Sequence, residues 1–506
     1  MKTAILLRLY IFSGILLFHH FTKAQNVGDV FFSSPQIHEV YMNFTQINFW
    51  DSLLAYKPLE QYMQASLVVD NISYTNVGIK FKGNSSYNNS SVKKPFKVDL
   101  NEFGGALTLD GLKKFNLNNG FKDPTFLREK LALDFYQQQH IYAPRCTYAK
   151  VYINGAYWGL YTLVEEIDKH YLNSNANFNN KEGNLFKGDP NGSLQWVNNS
   201  PSSYYSNYEL HTNETINDWS DLVHLIDKIN NSGNDLYDSL ETVLNTSNFI
   251  KQWAAYNLFV NLDSYLGSGH NYFIYHDTLS NKFEWIAWDV NEAFGNFNMG
   301  LTTAQLKTLS MFYLPNPPNG RPLIQKMLGN MQYKNEYIAT FCLWLENDFS
   351  NAALDIKIDS LANAIRADVY ADTKKFFTNQ QFDDNITMDM GNTMGLKPFI
   401  SSRRSALLAE LALNNCTMSI SEKTDKHNLF TLFPNPSDGY LNLLFTSTNT
   451  SDKINITISN TLGQQIYEKS FTGSKTVSIK LQQEAGIYFI STSISGKTQT
   501  SKLILY

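Results

Sequence analysis

Residues Ala149–Val164 read Ala-Lys-Val-Tyr-Ile-Asn-Gly-Ala-Tyr-Trp-Gly-Leu-Tyr-Thr-Leu-Val. Strand-forming side chains occupy both halves of this segment, and Asn154-Gly155 separates them. Asn-Gly between two such runs favours a tight β-hairpin, because both turn positions need a left-handed backbone. The segment therefore predicts two strands, Ala149–Ile153 and Gly159–Val164, that pair across the turn.

More strands are predicted before this hairpin. Residues Val77–Lys82 alternate apolar and polar side chains with a period of two, and Phe96–Leu100 repeats the pattern. The polar segment Gly83–Ser91 between them is predicted to be a loop. The early part of the chain should consist mainly of strands.

Helices are predicted mainly in the later part. Asp123-Pro124 predicts a helix start, since Asp can cap the first turn and Pro suits the first helical position. From about Ile216 onward the apolar spacing is mostly helical, apart from a predicted strand pair at Asn271–Tyr275 and Phe283–Trp288. Strands followed by helices predict the α+β fold class.

The two ends of the chain differ from this central region. Residues 1–24 combine early positive charge, an apolar run and the small-x-small ending Thr22-Lys23-Ala24, which predicts a secretory signal peptide. A membrane anchor is the alternative, although the apolar run is short for a span. No later segment is apolar enough over sufficient length, so we expect no transmembrane segment in the mature chain.

Three further regions follow the predicted signal peptide. Residues 27–413 form the mixed helix and strand region, and the polar residues 414–427 predict a linker. Residues 428–506 carry short alternating strands between turn signals, which predicts a small all-β sandwich.

Composition argues against two classes of function. The net charge is −5 and no long Lys/Arg run occurs, so we expect no nucleic acid partner. The three cysteines are far apart and form no C-x-x-C pair, which argues against a zinc site.

The segment from 261 to 295 holds the strongest candidates for chemistry. Asp263 follows an apolar helix pattern, His270-Asn271 comes next, and Asp289 ends the apolar run Trp285–Trp288. Carboxylates at a strand end and in a nearby loop suit a magnesium–phosphate site. The alternative is structural, with Asp263 capping a turn, Asp289 in a hairpin and His270 serving only as a hydrogen-bonding residue.

Two weaker candidates lie earlier in the chain. Lys82, Lys93, Lys94 and Lys97 surround the polar loop and could contact phosphates, although a solvated basic face would look the same. Glu165 at a strand end could orient a lysine, or it could belong to an exposed acidic turn.

The ordered set of these segments resembles the CotH kinase family over roughly residues 35–413. The matching motifs are Lys82-Gly83-Asn84-Ser85-Ser86, Lys93-Lys94-Pro95-Phe96-Lys97, Leu117-Asn118-Asn119, Asp123-Pro124, Leu127-Arg128, Tyr152-Ile153-Asn154-Gly155, Gly159–Glu165, Gly183-Asn184-Leu185-Phe186-Lys187, Asp263, His270-Asn271-Tyr272 and Trp288-Asp289. The resemblance implies an atypical protein-kinase-like fold. It also implies transfer of phosphate from ATP to protein serines with a divalent metal, Mg²⁺ or Mn²⁺.

The resemblance also implies roles for individual residues. Asp263 would orient the substrate hydroxyl, and Asp289 would bind the metal, with Asn271 as a second ligand. Lys82 and Lys94 would contact the phosphates, and Glu165 would be the orienting acid.

Two positions depart from the pattern of that family. Lys82 stands where Arg is common, which keeps the charge but loses the planar fork that grips phosphate. Asn291 stands where many relatives have a second Asp, which removes one candidate metal carboxylate.

The tail resembles the type IX secretion sorting domain of Bacteroidetes. The matching residues are Leu432-Phe433-Pro434-Asn435-Pro436, Gly439, Ile458–Gln464 and Gly486-Ile487-Tyr488-Phe489. This resemblance implies that the type IX machinery is a partner and that the protein passes through the periplasm to be secreted or attached to the cell surface.

The leading interpretation is a secreted ATP- and metal-dependent protein serine kinase. A catalytically inactive scaffold or surface-coat binding protein is the alternative. A secreted carbohydrate-active hydrolase is the third, since paired Asp residues could also serve glycoside cleavage.

Overall fold

The computed structural model describes residues 26–34, 36–175, 177–178, 180–414, 429–433, 435, 437, 439–445, 453–460, 464–494 and 497–505. The predicted signal peptide (1–24) lies outside these residues, as does the predicted linker (414–427) apart from Asn414. Two units are distinguished, with the division between residues 418 and 419.

Seven strands of the first unit close into a barrel in the order β1-β2-β3-β4-β5-β7-β6. The strands β1 and β6 are parallel and close the barrel, whereas the other neighbours are antiparallel. The predicted hairpin at Asn154-Gly155 is confirmed and joins β6 to β7. The bounds are β1 His38–Asn43, β2 Met63–Val69, β3 Ile72–Phe81, β4 Phe96–Asp99, β5 Lys114–Asn118, β6 Cys146–Ile153 and β7 Ala156–Glu165.

A second sheet has the order β11-β10-β8-β9. Its strands are β8 Leu185–Gly188, β9 Tyr208–Leu210, β10 Tyr272–Asp277 and β11 Lys282–Ala287. The predicted pairing of the last two strands is confirmed, with Tyr272 opposite Ala287.

Helices of the first unit complete a mixed helix and strand fold. They are α1 Asp29–Ser33, α2 Phe49–Tyr56, α3 Arg128–Gln138, α4 Lys169–Ser174, α5 Ser220–Asn231, α6 Leu236–Val243, α7 Thr246–Leu258, α8 Thr303–Lys307, α9 Pro322–Gly329, α10 Met331–Asn347, α11 Asn351–Ala371, α12 Asn379–Thr387 and α13 Leu396–Ala412. No helix in the described part of the chain is long and apolar enough to cross a membrane.

Helix α3 begins at Arg128, later than the predicted start at Asp123-Pro124. Phe126 has a left-handed backbone with φ of 58°, which interrupts a helix at that point. Asp123 still stabilises the helix start, because its carboxylate accepts from the backbone N–H of Arg128 at 2.9 Å. The later start leaves Glu129 in the first turn of the helix.

A buried ion pair joins the barrel to the helical region. The ammonium of Lys93 donates to Leu160 O at 2.7 Å and pairs with Asp372, and neither side chain is exposed. Asp372 follows the last residue of α11 and accepts from the backbone N–H of Leu160 at 3.1 Å. Burial lowers the pKa of Lys93 to about 8, while Asp372 favours the charged form.

Gly159 is the position on β7 that admits this ion pair. Its φ is 135°, and the Asp372 carboxylate occupies the space that a Cβ would need. Only glycine therefore fits at this point of the hairpin.

The described residues of the second unit form strands in two sheets, β12-β13-β16 and β15-β14-β17-β18. Apolar residues alternate toward a shared core, as at the start of β14, where Ile454 and Ile456 are buried and Lys453 and Asn455 are exposed. The strands are β12 Phe430–Phe433, β13 Tyr440–Phe445, β14 Lys453–Asn460, β15 Gln465–Thr472, β16 Thr476–Lys480, β17 Gly486–Ile494 and β18 Lys497–Leu505. Of the predicted sorting motif, Pro434, Pro436 and residues 461–463 lie outside the described residues.

We expect Lys93→Met to lower the free energy of unfolding of the first unit by about 3–5 kcal/mol, since it leaves the buried Asp372 charge uncompensated. The double variant K93M/D372L should recover part of that loss, because it removes the unpaired charge but leaves the backbone N–H and C=O of Leu160 without these partners. Urea unfolding followed by tryptophan fluorescence measures this unit alone, since all eight tryptophans lie between residues 50 and 344.

The exposed pair Lys397–Asp359 supplies the control. Lys397→Met should cost less than about 1 kcal/mol, because solvent screens a surface ion pair. Equal losses for K93M and K397M would show that the buried pair does not hold the unit together.

Candidate active site

Lys82 directly follows β3 and lies on the outer face of the barrel. Phe81 is fully buried in the barrel, so the alternation of the strand turns Lys82 outward. The ammonium donates to Asn118 Oδ1 at 3.1 Å and lies 5.3 Å from the centre of the Trp288 ring. This cation therefore lies between the barrel and the end of β11.

Carboxylates compensate the charge of Lys82. Burial lowers the pKa of Lys82, while the negative charges of Asp289, Glu166 and Glu129 favour the ammonium form. The acids come from three different segments: the turn after β11, the end of β7 and helix α3. The fold thus assembles a cation and several acids that are far apart in sequence.

Asp289 lies in the turn that follows β11. Its backbone is left-handed, with φ of 50°, which is uncommon for a residue other than glycine and is found where a chain must direct a side chain. Burial raises the pKa of Asp289, Lys82 opposes that rise, and the charge of Asp263 adds to it. No described residue donates a hydrogen bond to its carboxylate.

Asp263 lies in the loop after α7, where three neighbours fix its carboxylate. Ser268 Oγ donates to Oδ1 at 3.2 Å, Asn271 Nδ2 donates to Oδ2 at 3.1 Å, and His270 Nε2 lies 2.7 Å from Oδ1. Burial lowers the pKa of His270, but the hydrogen bond and the charge of Asp263 outweigh it and raise the pKa overall. A carboxylate held in one orientation suits proton transfer from a hydroxyl.

The loop that carries Asp263 is braced by Arg321. The buried guanidinium donates to Gly267 O and lies 5.8 Å from the centre of the Tyr265 ring. Gly269 has φ of 86°, and the guanidinium occupies the space that its Cβ would need. Gly269 therefore permits the close approach of Arg321, whereas a Cβ at Gly267 would meet the backbone of Leu262.

Glu129 on α3 is a site residue that the sequence analysis missed. Asn118 Nδ2 donates to both of its carboxylate oxygens, at 2.8 and 3.1 Å, so Asn118 bridges Glu129 and Lys82. Burial raises the pKa of Glu129 to about 8, and the charge of Asp289 adds to the rise. Its position directly after the matched Leu127-Arg128 motif was the signal in the sequence.

The structure does not bring Glu165 to this cluster. Glu165 is buried and accepts from Arg145 Nε at 3.0 Å, and successive residues of a strand point to opposite sides. Its neighbour Glu166 points toward the site instead, where it accepts from Lys97 Nζ at 2.7 Å and from Asn116 Nδ2 at 2.7 Å.

Lys94 is also not brought to the cluster. Its ammonium donates to Tyr87 O at 2.8 Å and to Asn89 O at 2.6 Å, so it closes the polar loop on itself. Lys187 on β8, which belongs to the motif Gly183–Lys187, is a further cation near the cluster. Burial lowers the pKa of Lys187 but Asp189 raises it overall, and the charge of Lys187 also acts on Asp289.

A cleft between the barrel and the turn after β11 contains part of this cluster. Lys82, Glu129, Asp289 and Asn291 line it, together with residues of the polar loop and of the segment 118–126. Asp263 and Asn271 belong to the neighbouring loop, close enough for the charge of Asp263 to act on Asp289. The structure therefore brings Lys82, Asp289, Asp263 and Asn271 into one region.

The donor set fits a magnesium ion that is completed by a ligand. Among the described residues, no three His, Cys, Asp or Glu side chains converge closely enough to hold a metal by themselves. Mg²⁺ usually takes one or two protein carboxylates and fills the remaining positions with water and substrate phosphates. Asp289, with a carboxylate free of hydrogen bonds and Asn291 in the same cleft, fits this mode of binding.

Comparison with known proteins gives two family matches. Residues 79–407 match the family model described as CotH kinase protein, and residues 431–506 match the model described as secretion system C-terminal sorting domain. The chain is also 27% identical over 282 residues to the inner spore coat protein H of Bacillus subtilis (strain 168). That alignment covers 54% of this chain and 74% of the relative.

We expect Glu129→Gln to gain stability relative to the unchanged chain as the pH rises from about 5 to 8. Between the unfolded pKa of 4.5 and the folded pKa of about 8, the folded state binds a proton that the unfolded state releases, so stability falls with rising pH. Glutamine does not titrate, and each pKa unit corresponds to about 1.4 kcal/mol, so the gain should reach a few kcal/mol.

Urea unfolding by tryptophan fluorescence, in the presence of a chelator, measures this difference. The exposed Glu102 gives the control, since Glu102→Gln should follow the unchanged chain at every pH. If the free energy of unfolding changed with pH in the same way for E129Q and the unchanged chain, the raised pKa of Glu129 would be contradicted.

Proposed function

Since the chain belongs to the CotH kinase protein family, we propose that it is a protein kinase that transfers the γ-phosphate of ATP to serine hydroxyls of secreted or surface proteins. One observation carries this proposal: Lys82 and Asp289 line the same cleft, and the charge of Asp263 from the neighbouring loop acts on Asp289. Phosphoryl transfer depends mainly on such positioning and charge compensation.

Asp263 is the proposed acceptor of the serine proton. As the serine oxygen bonds to the γ-phosphorus, the bond from that phosphorus to the bridging oxygen breaks and ADP leaves with the electron pair. The hydroxyl proton passes to the free side of the Asp263 carboxylate, whose orientation Ser268 and Asn271 hold. His270 Nε2 lies 2.7 Å from Oδ1 and stabilises the negative charge of the Asp263 carboxylate before the proton is transferred.

Asp289 is the proposed ligand for a divalent cation, Mg²⁺ or Mn²⁺. When bound, that cation neutralises charge on the phosphates. Asn291 shares the cleft with Asp289, and Asn271 is the further candidate ligand from the neighbouring loop. The pKa of Asp289 is raised by burial, so a cation beside it would stabilise the ionised carboxylate.

Lys82 is the proposed phosphate contact, with Glu129 and Glu166 as the acids that orient it. Asn118 links Lys82 to Glu129 through hydrogen bonds to both residues. A glutamate that holds a lysine against the phosphates is found in protein kinases as a direct ion pair, whereas the link between Lys82 and Glu129 runs through Asn118. The resemblance implied a phosphate contact for Lys94 and an orienting role for Glu165. Both side chains form hydrogen bonds elsewhere, so neither is proposed for these roles.

The C-terminal match bears on where the reaction takes place. A secretion system C-terminal sorting domain identifies a secreted or cell-surface protein that leaves by type IX secretion. The serine-bearing substrates are therefore proposed to be proteins outside the cell or on its surface.

An inactive binding protein is the second candidate function. Two observations favour it: the Bacillus relative is named for the spore coat, and Asn291 supplies no charge to a metal. Incubation of the mature chain with labelled ATP and Mg²⁺ separates the two candidates, since only a kinase yields labelled protein.

We expect Asp263→Asn to lower phosphoryl transfer at least about a hundredfold, the scale of a lost general base, while nucleotide affinity stays unchanged. Asp289→Asn should instead weaken metal-dependent nucleotide binding. Labelled phosphate transfer and calorimetry with an ATP analogue measure the two effects. Asp51 is exposed on α2, so Asp51→Asn serves as the control. Full activity in D263N, or unchanged metal dependence in D289N, would contradict these roles.

Glu166→Gln should weaken binding of the magnesium–ATP analogue by roughly tenfold, equivalent to about 1.4 kcal/mol, because Lys97 loses an ion pair and Lys82 loses a nearby charge. Glu165→Gln should leave the affinity unchanged, since Glu165 bonds to Arg145 on the other side of the strand. Calorimetry on the two variants compares adjacent residues directly. A loss of affinity in E165Q as large as that in E166Q would show that the nucleotide does not bind on the side of the strand that Glu166 faces.

A further inference from the structure

Glu292 is a buried acid whose hydrogen bonding is incomplete. Its side chain is 6% exposed, and Oε1 accepts from Lys122 Nζ at 2.8 Å. The other oxygen, Oε2, is buried and accepts no hydrogen bond from any residue described in the structure. A buried carboxylate oxygen without a donor is costly, and a hydrogen bond from a bound water would remove that cost.

Glu292 is close in sequence to the proposed cation ligand Asp289. It ends the short turn Val290–Glu292, which follows Asp289 and also carries Asn291. The turn packs against helix α3, which bears Glu129. Burial raises the pKa of Glu292, Lys122 opposes that rise, and the charges of Asp263 and Asp289 add to it, so the three acids are within electrostatic reach of one another.

This chain lacks a negative charge that the resemblance led us to expect. Asn291 can offer an amide oxygen to a cation but no charge. A site built from Asp289 and an amide alone would compensate a divalent cation poorly. The adjacent residue, Glu292, carries a carboxylate with one free oxygen.

The geometry determines how Glu292 could act. No three acidic, His or Cys side chains of the described segments are close enough to hold a metal directly. Mg²⁺ gives up its waters reluctantly and usually keeps several of them. Acids that accept hydrogen bonds from metal-bound groups are known to control metal affinity.

We propose that Glu292 is a positioning residue of the cation site, whose free Oε2 accepts a hydrogen bond from a water on the divalent cation beside Asp289, and whose charge replaces the one that Asn291 lacks. This inference rests on the proposed function. Lys122 competes with the cation for Glu292, because the Lys122 ammonium offsets the charge of Glu292 while the cation is absent. Removal of Lys122 should therefore strengthen cation binding, and removal of the Glu292 charge should weaken it.

The test measures Mn²⁺ affinity by electron paramagnetic resonance, on the full mature chain with a nonhydrolysable ATP analogue. Glu292→Gln should weaken Mn²⁺ binding by roughly tenfold, the scale of losing an outer acid of a metal site, and leave metal-free nucleotide affinity unchanged. Adding Asn291→Asp to E292Q should restore most of the Mn²⁺ affinity. Lys122→Met should tighten Mn²⁺ binding.

Glu284 on strand β11 supplies the matched control, since it is also buried and accepts hydrogen bonds from Asn245 and Asn248. Glu284→Gln should not change Mn²⁺ affinity. If E292Q does not fold, K122M decides the question alone: tighter binding supports the proposal, and equal or weaker binding overturns it.

The outcomes separate this inference from the proposed function. Equal Mn²⁺ affinity in E292Q and the unchanged chain overturns the role of Glu292 and leaves the kinase proposal standing. Failure of the unchanged chain to bind Mn²⁺ with the nucleotide analogue overturns the proposed function itself.

Discussion

A half-buried ammonium keeps its charge best beside carboxylates, and the site in the first unit is organised around Lys82 by this constraint. The alternation of β3 turns Lys82 out of the barrel, where Asp289 and Glu129 approach from the turn after β11 and from helix α3. Each acid in turn has a raised pKa because of burial. The groups are therefore mutually dependent: a divalent cation would offset the charge of the acids, and the Lys82 ammonium would offset the charge of the phosphates.

Such a cluster destabilises the fold that contains it. Asp289 has a left-handed backbone, and Glu292 keeps a buried oxygen without a donor. The stabilising interactions lie elsewhere in the same unit: the apolar core of the barrel, and the buried pair of Lys93 with Asp372 that joins the barrel to α11. The geometry of the site is therefore maintained by residues that do not line its cleft.

The sequence predicted the elements that depend on local patterns. The Asn154-Gly155 hairpin and the pairing of β10 with β11 follow from turn chemistry and alternation, and these predictions are confirmed. The sequence could not settle which of two adjacent acids faces the site, because one residue of register separates Glu165 from Glu166. Nor could it show that Lys94 bonds to carbonyls of its own loop, or that a left-handed Phe126 delays α3 and places Glu129 near Lys82, since both depend on tertiary contacts.

The most direct measurement is a crystal structure of the mature chain with Mn²⁺ and a nonhydrolysable ATP analogue, with the metal located by anomalous scattering. The account predicts a Mn²⁺ peak within ligand distance of the Asp289 carboxylate. It also predicts a terminal phosphate that lies between the Lys82 ammonium and the Asp263 carboxylate. Binding of the metal and nucleotide at another place, such as the separate cleft lined by Arg145 and Glu165, would contradict the assignment of this cluster as the site of phosphoryl transfer.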